Sequence, residues 1–141
     1  MIVLGIESTC DETAASLVED GRRLLSNVIS TSVKEQALYG GVVPEIASRK
    51  HIEAIAALTD QALKEAGVAA DRIDAIAFTR GPGLVGSLLV GVSFTKGLSI
   101  ARNIPMVEVN HLQGHILSHF IDLRDRTLPH PDFPFLCLLV S

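Results

Sequence analysis

Ile2-Val3-Leu4-Gly5-Ile6-Glu7-Ser8-Thr9-Cys10-Asp11-Glu12-Thr13 opens the chain with an apolar run that breaks into a polar turn. Beyond the turn, Ala14 to Val18 and Leu24 to Ile29 form two more apolar stretches, joined at Glu19-Asp20-Gly21. Short apolar runs bounded by polar residues and glycine read as strands, and Asp-Gly is a hairpin signal. Three such runs in close succession predict an antiparallel meander.

Downstream the period changes. After a glycine-containing loop, Tyr39 to Pro44, the residues Ile46, Ile52, Ile55, Ala56, Leu58, Thr59, Ala62 and Leu63 recur at mostly helical spacing. Pro44 suits a first helical turn, and Gly67 ends the pattern. Ile73 to Phe78 is the next strand candidate, and Thr79-Arg80-Gly81-Pro82-Gly83 breaks it. A second helix is expected from about Leu84 to Ala101, rich in small residues that permit close approach to its neighbours. Met106 to Val109 reads as a buried strand, and a third helix starts near Asn110. After a proline-containing loop, Phe135 to Val140 is a further strand candidate.

The order is β-β-β-α-β-α-β-α with one more strand. A meander followed by alternating helix and strand predicts an α/β domain, a mixed sheet with helices on its faces. It is the order of the ribonuclease-H-like core of actin-like ATPase domains (the ASKHA group), which carry two such domains with the ligand between them. Residues 1–133 are expected to form an N-terminal actin-like domain, and residues 134–141 the first strand of a second, truncated one.

Composition narrows the function. The chain has 141 residues, 48% apolar and 20% charged, which suits a globular core. No apolar run reaches the roughly 20 residues of a membrane span, so no membrane association is expected. Met1 to Glu7 lacks the basic and apolar regions of a signal peptide. The two cysteines, Cys10 and Cys137, suggest no disulfide framework, and a cytoplasmic setting is expected. The net charge of −4, with only short basic clusters at Arg22-Arg23 and Arg49-Lys50, predicts weak RNA binding by this segment alone.

Three motifs bear on chemistry. In Asn110-His111-Leu112-Gln113-Gly114-His115, the two histidines lie four apart on one helix face, with Cβ atoms roughly 5–6 Å apart. Such a pair can converge on one metal ion, or be structural. Leu112 stands where a zinc protease has its catalytic Glu, which argues against that chemistry. His119 lies roughly 12 Å further along the axis, too far to share the ion. His51 and His130 read as structural. In the turn Ser8 to Thr13, Asp11 and Glu12 are able to orient substrate, contact a cation or act as a base; a solvated turn is the simpler alternative. Gly81-Pro82-Gly83-Leu84-Val85-Gly86 is neither a P-loop nor a dinucleotide fingerprint. Anion binding at a helix start and close helix-to-sheet packing explain it equally well.

Together the motifs resemble the TsaD family. The block Ile6 to Thr13 is similar to that family's opening motif, and Gly40 to Arg49 to its next. Gly81 to Leu88 and Asn110 to His115 match the following two in order, and Leu138-Leu139-Val140-Ser141 resembles the start of its Val-Ser-Gly-Gly segment. The resemblance implies transfer of threonylcarbamoyl from threonylcarbamoyl-adenylate to the exocyclic amine of the adenosine next to the anticodon. It implies one divalent metal, iron or zinc, held by His111, His115 and a later aspartate. It also implies an adenylate substrate or ATP/ADP in the interdomain cleft, and a pocket lined by Thr9, Cys10, Asp11, Glu12, Asn110 and Ser141. Asp11 or Glu12 is the expected proton acceptor. The implied partners are a TsaB-like paralogue, a TsaE-like ATPase and tRNA. Leu139, where archaeal relatives carry a metal-binding tyrosine, makes the chain bacterial in type. Three alternatives stay open: a metalloendopeptidase acting on glycoproteins, a non-catalytic TsaB-like scaffold, and a homodimer of this chain. The helix from Pro44 and the one with Gly86, Gly91 and Gly97 are the candidate dimer faces. This piece alone is expected to be inactive.

Overall fold

The computed structural model describes residues 1–123 and 129–140. The meander forms as expected: β1 (Ile2–Glu7), β2 (Glu12–Glu19) and β3 (Arg23–Thr31) pair antiparallel. Asp20 and Gly21 both take positive φ, 52° and 72°, as the central residues of a turn closed by the Arg22 N–H on the Glu19 carbonyl at 3.2 Å. β4 (Ala75–Gly81) and β5 (Met106–Asn110) then add parallel to β1, giving the order β3-β2-β1-β4-β5. β1 is thus the central strand, antiparallel to one neighbour and parallel to the other.

The helices α2 (Pro44–Ala66) and α3 (Val85–Arg102) cover one face of the sheet. Alternation within the strands decides which side chains go there. Leu4, Leu17 and Ile76 are fully buried, and Ile6, Ala15 and Phe78 nearly so, against Ile55, Leu58 and Ala62 of α2. At the end of α2, the Gly67 N–H reaches back to the Leu63 and Lys64 carbonyls, satisfying acceptors that a helix end leaves open.

Three elements differ from the sequence expectation in kind or bounds, and β5, read as a buried strand, is an edge strand with Val107 half exposed. A short helix, α1 (Val33–Ala37), forms ahead of the Tyr39 to Pro44 loop, where no element was expected. Gln36 anchors it, donating to Ser32 Oγ and accepting from the Val43 N–H. β4 starts and ends later than the apolar run Ile73 to Phe78, because pairing with β5 extends it through Thr79 to Gly81. Phe135 to Val140 forms no strand, and Leu136, Leu138 and Val140 are exposed. A strand needs a hydrogen-bonded neighbour, and neither edge strand, β3 or β5, takes this segment as one.

Candidate functional site

The turn between β1 and β2 is held from two sides. Ser8 Oγ donates to the Ser87 carbonyl of α3 at 2.9 Å, and the Thr9 carbonyl accepts from the Leu84 N–H at 2.8 Å. Both contacts need bare backbone opposite. A Cβ at Gly83 would lie 2.8 Å from Thr9 Cβ, and one at Gly91 would collide with Ser8 Oγ. Close packing, one of the two roles open to the Gly81 to Gly86 segment, is therefore in use at its Gly83. From α2, the buried His51 ring bridges the Thr13 hydroxyl at 2.7 Å and the Cys10 carbonyl at 3.1 Å. A carbonyl only accepts, so Nε2 carries the proton and Nδ1 accepts from Thr13. Burial pushes the His51 pKa below its ordinary value, against the Cys10 carbonyl, which favours the charged form.

Within this turn Thr9 is buried, and Cys10 is partly so. Burial, then the neighbouring Asp11 carboxylate, push the Cys10 thiol above its usual pKa. Cys10 is thus a neutral group at physiological pH rather than a thiolate nucleophile. The Asp11 carbonyl accepts from Ser32 N–H and Oγ at 2.9 and 2.8 Å. Asp11 also lines a depression of about 190 Å³ with Lys50 and Glu53. Glu12 is exposed and opens β2 opposite Thr31.

The histidines lie on α4 (His111–Leu117), which follows β5 directly. Asn110 caps this helix, its Oδ1 accepting from the Leu112 and Gln113 N–H groups at 3.0 and 3.3 Å. A side-chain acceptor there satisfies otherwise unpaired donors, so the oxygen of Asn110 is committed to the helix. His111 Nε2 and His115 Nε2 face each other at 3.0 Å, with the rings edge to face. On its other side, His111 Nδ1 meets Glu7 Oε2 at 3.4 Å. The same oxygen accepts from the Thr79 hydroxyl, and Glu7 Oε1 accepts from the Thr9 N–H at 2.6 Å. Glu7 therefore ties together the ends of β1 and β4, the acidic turn and α4. Beside this cluster a cavity of about 600 Å³ opens between the sheet and α4, lined by Gly5, Ala77, Thr79, Val109, Gly114 and Leu117.

The two imidazoles suit a metal ion. Metal–nitrogen bonds of about 2.0–2.1 Å and angles of roughly 90–110° require nitrogens about 2.9–3.4 Å apart. The observed 3.0 Å lies in that interval. Two ligands do not complete a coordination shell, and no cluster of three potential ligands occurs among the described residues. Of the residues singled out from the sequence, His111 and His115 come together, and Asn110 adjoins them as the cap. Thr9 connects to them through Glu7. Asp11 lies among residues of β3, α1 and α2 instead, Glu12 is exposed on the face of β2 opposite the buried Thr13, and Ser141 lies outside the described residues. His51 is the buried structural histidine expected. His130 pairs with Asp122 at 2.9 Å and approaches the His119 carbonyl at 3.1 Å. Glu7 was the residue the sequence reading passed over. Its one signal was a carboxylate at the end of the apolar β1 run.

Sheet order and helix placement define an actin-like, ribonuclease-H-like α/β domain with an imidazole pair where two parallel strands end. This fold is shared with YeaZ from Pseudomonas aeruginosa, at a TM-score of 0.58 and 24% identity, over 78% of this chain and 45% of that one. The family model for TsaD, tRNA N6-adenosine threonylcarbamoyltransferase, matches residues 23–141, and the chain belongs to that family. The relative from Phocaeicola vulgatus carrying that name is 57% identical over 99% of this chain. The one from Syntrophus aciditrophicus is also 57% identical, over the whole chain. The chain spans about two fifths of the length of these relatives, 41% and 40% respectively. No helix among the described residues is long and apolar enough to cross a membrane.

Proposed function

We propose that the chain is the N-terminal part of a threonylcarbamoyl transferase acting on tRNA, with His111 and His115 as two ligands of a divalent metal, iron or zinc. The observation that carries the metal reading is the pair of Nε2 atoms facing each other at 3.0 Å on a capped helix. When bound, such an ion supplies Lewis-acid polarisation of the carbonyl that is attacked. The exocyclic amine of the adenosine attacks the carbamoyl carbon of threonylcarbamoyl-adenylate. A C–N bond forms, the bond to the phosphate oxygen breaks, AMP leaves, and the amine gives up one proton. Asp11 or Glu12 accepts that proton in this reading, and Thr9, Cys10, Asn110 and Ser141 line the substrate pocket, with the nucleotide held in the cleft to a second domain that begins near residue 134. Because Asp11 lies beside α1 and α2, its use as that acceptor requires substrate to approach from their side. The Leu112 side chain, in place of a Glu between the histidines, supports acyl transfer over peptide hydrolysis.

The partners we assign are a TsaB-like paralogue, a TsaE-like ATPase and tRNA. A groove of about 550 Å³ between α2 and α3, with Ile52 and Leu89 exposed at it, supports a paralogue docking there. The fold likeness to YeaZ supports a partner of the same architecture. The net charge of −4 supports tRNA contacts made mainly outside this segment.

The test uses the whole protein carrying His111→Ala together with His115→Ala, and reads metal content and acyl transfer from threonylcarbamoyl-adenylate to tRNA. Joint loss of both is expected. Retention of both makes the histidines structural and returns the chemistry to the acidic turn.

A further inference from the structure

Glu7 is the residue at which the two halves of the site meet, and nothing in the motif chemistry assigned it a task. It ends the central strand β1, where its side chain is about 29% exposed, and its two oxygens contact three groups. Oε1 takes the Thr9 N–H; Oε2 takes the Thr79 hydroxyl and faces His111 Nδ1. A carboxylate is acceptor-only when ionised, so the group that faces it must bring a proton. For His111 that proton sits on Nδ1, which leaves Nε2 with a lone pair. Nε2 is the atom that faces His115 at 3.0 Å. The contact between the two Nε2 atoms then requires His115 to carry its proton on Nε2 and donate. The two imidazoles are therefore in opposite tautomers: His111 is ready to ligate, and His115 has to move its proton to Nδ1 first. His115 is exposed, so water can carry that exchange.

We propose that Glu7 is the positioning residue of the imidazole pair, holding His111 through Nδ1 in the ligating tautomer and fixing the start of α4 to the ends of β1 and β4. The inference rests on the metal reading of His111 and His115 and deepens it. A carboxylate behind a ligating histidine fixes ring orientation and raises ligand basicity, and its loss commonly weakens metal binding by roughly 10–100-fold. The geometry also accounts for Thr79. Its hydroxyl holds the oxygen that faces His111, so Glu7 has little rotational freedom.

The experiment compares the whole protein with its Glu7→Gln, Glu7→Asp, Thr79→Val and His111→Ala variants. Zinc affinity is measured by competition with a chromophoric chelator, and ring tautomers by long-range nitrogen–proton correlation on the metal-free neutral rings. The expected results are His111 as the Nδ1–H tautomer and His115 as Nε2–H in the parent. Glu7→Gln should mix the His111 tautomers and weaken zinc binding roughly 10–100-fold, with a smaller loss for Thr79→Val and partial rescue in Glu7→Asp. Zinc affinity within threefold of the parent in a folded Glu7→Gln variant, beside a large loss in His111→Ala, overturns the role of Glu7 and leaves the metal reading standing. Unchanged zinc binding in His111→Ala overturns the metal reading itself. If Glu7→Gln does not fold, the parent spectrum decides: His111 found as Nε2–H overturns the proposal.

Discussion

The acidic turn and the histidine helix are the two regions that carry the candidate chemistry, and they are held in opposite ways. The turn from Ser8 to Thr13 is built into the core: Ser8, Thr9 and Thr13 are buried, α3 presses on it from one side, and His51 binds it from α2. Helix α4 is seven residues long, has no buried residue, and is fixed mainly by the Asn110 cap and the contact with Glu7. A helix this short is not stable by itself, so its geometry depends on those two anchors. One half of the site is thus preformed by packing. The other half is adjustable, which suits a ligand pair still to be completed by further groups.

The largest effect should come from the preformed half. His51→Ala removes a buried ring and leaves the Thr13 hydroxyl and Cys10 carbonyl without their partner, at a cost of about 3 kcal/mol in urea unfolding. The same histidine sets a pH dependence. Its pKa is lowered in the folded state, so below its ordinary value of 6.5 the unfolded chain binds a proton that the folded one refuses. Stability is therefore full above about pH 6.5 and falls as pH drops from there toward the folded value. The slope is at most about 1.4 kcal/mol per pH unit for one group. The parent should show a steeper decline than His51→Ala between pH 7 and 5.5; equal slopes would remove His51 as the cause.

Next in size is Gly91→Val. Ordinarily a glycine inside a helix is a liability of roughly 1 kcal/mol, but here the added side chain meets Ser8 Oγ and forces α3 off β1. Thermal unfolding should report a loss of about 2 kcal/mol. A stabilised variant would show that α3 and the turn leave room for a side chain at Gly91. The smallest global effect belongs to the adjustable half. Asn110→Ala removes a cap worth about 1 kcal/mol to the helix. Because α4 contributes little to the core, amide exchange should accelerate in residues 111–117 while the global unfolding midpoint hardly moves. A matching drop in global stability would erase the contrast between the two regions.

Much of this architecture was legible because it is written in local periods. The meander follows from three apolar runs and Asp20-Gly21, the bounds of α2 from Pro44 and Gly67, and the ligand pair from its spacing of four. The Asn110 cap was legible in principle, since Asn before a helical stretch is a start signal, yet the resemblance to a substrate-binding residue took precedence. The helix α1 carries too few residues to show a period, and its anchor Gln36 bonds to groups on either side of it. Phe135 to Val140 has the composition of a strand, but a strand is a pairing, and composition supplies only one partner.

By itself the sequence determined the kinds of elements, their order and the identity of the two imidazoles, because helix and strand periods and side-chain chemistry are properties of neighbouring residues. Only the tertiary structure decided that Glu7 faces His111 across 104 positions of chain, and that Asp11 lies beside α1 and α2. The reason is physical: parallel pairing of β1 with β4 and of β4 with β5 brings three strand ends to one edge. Which side chains meet there depends on register, and register is fixed by the burial of Leu4, Ile6, Ile76 and Phe78 together rather than by any one stretch of sequence.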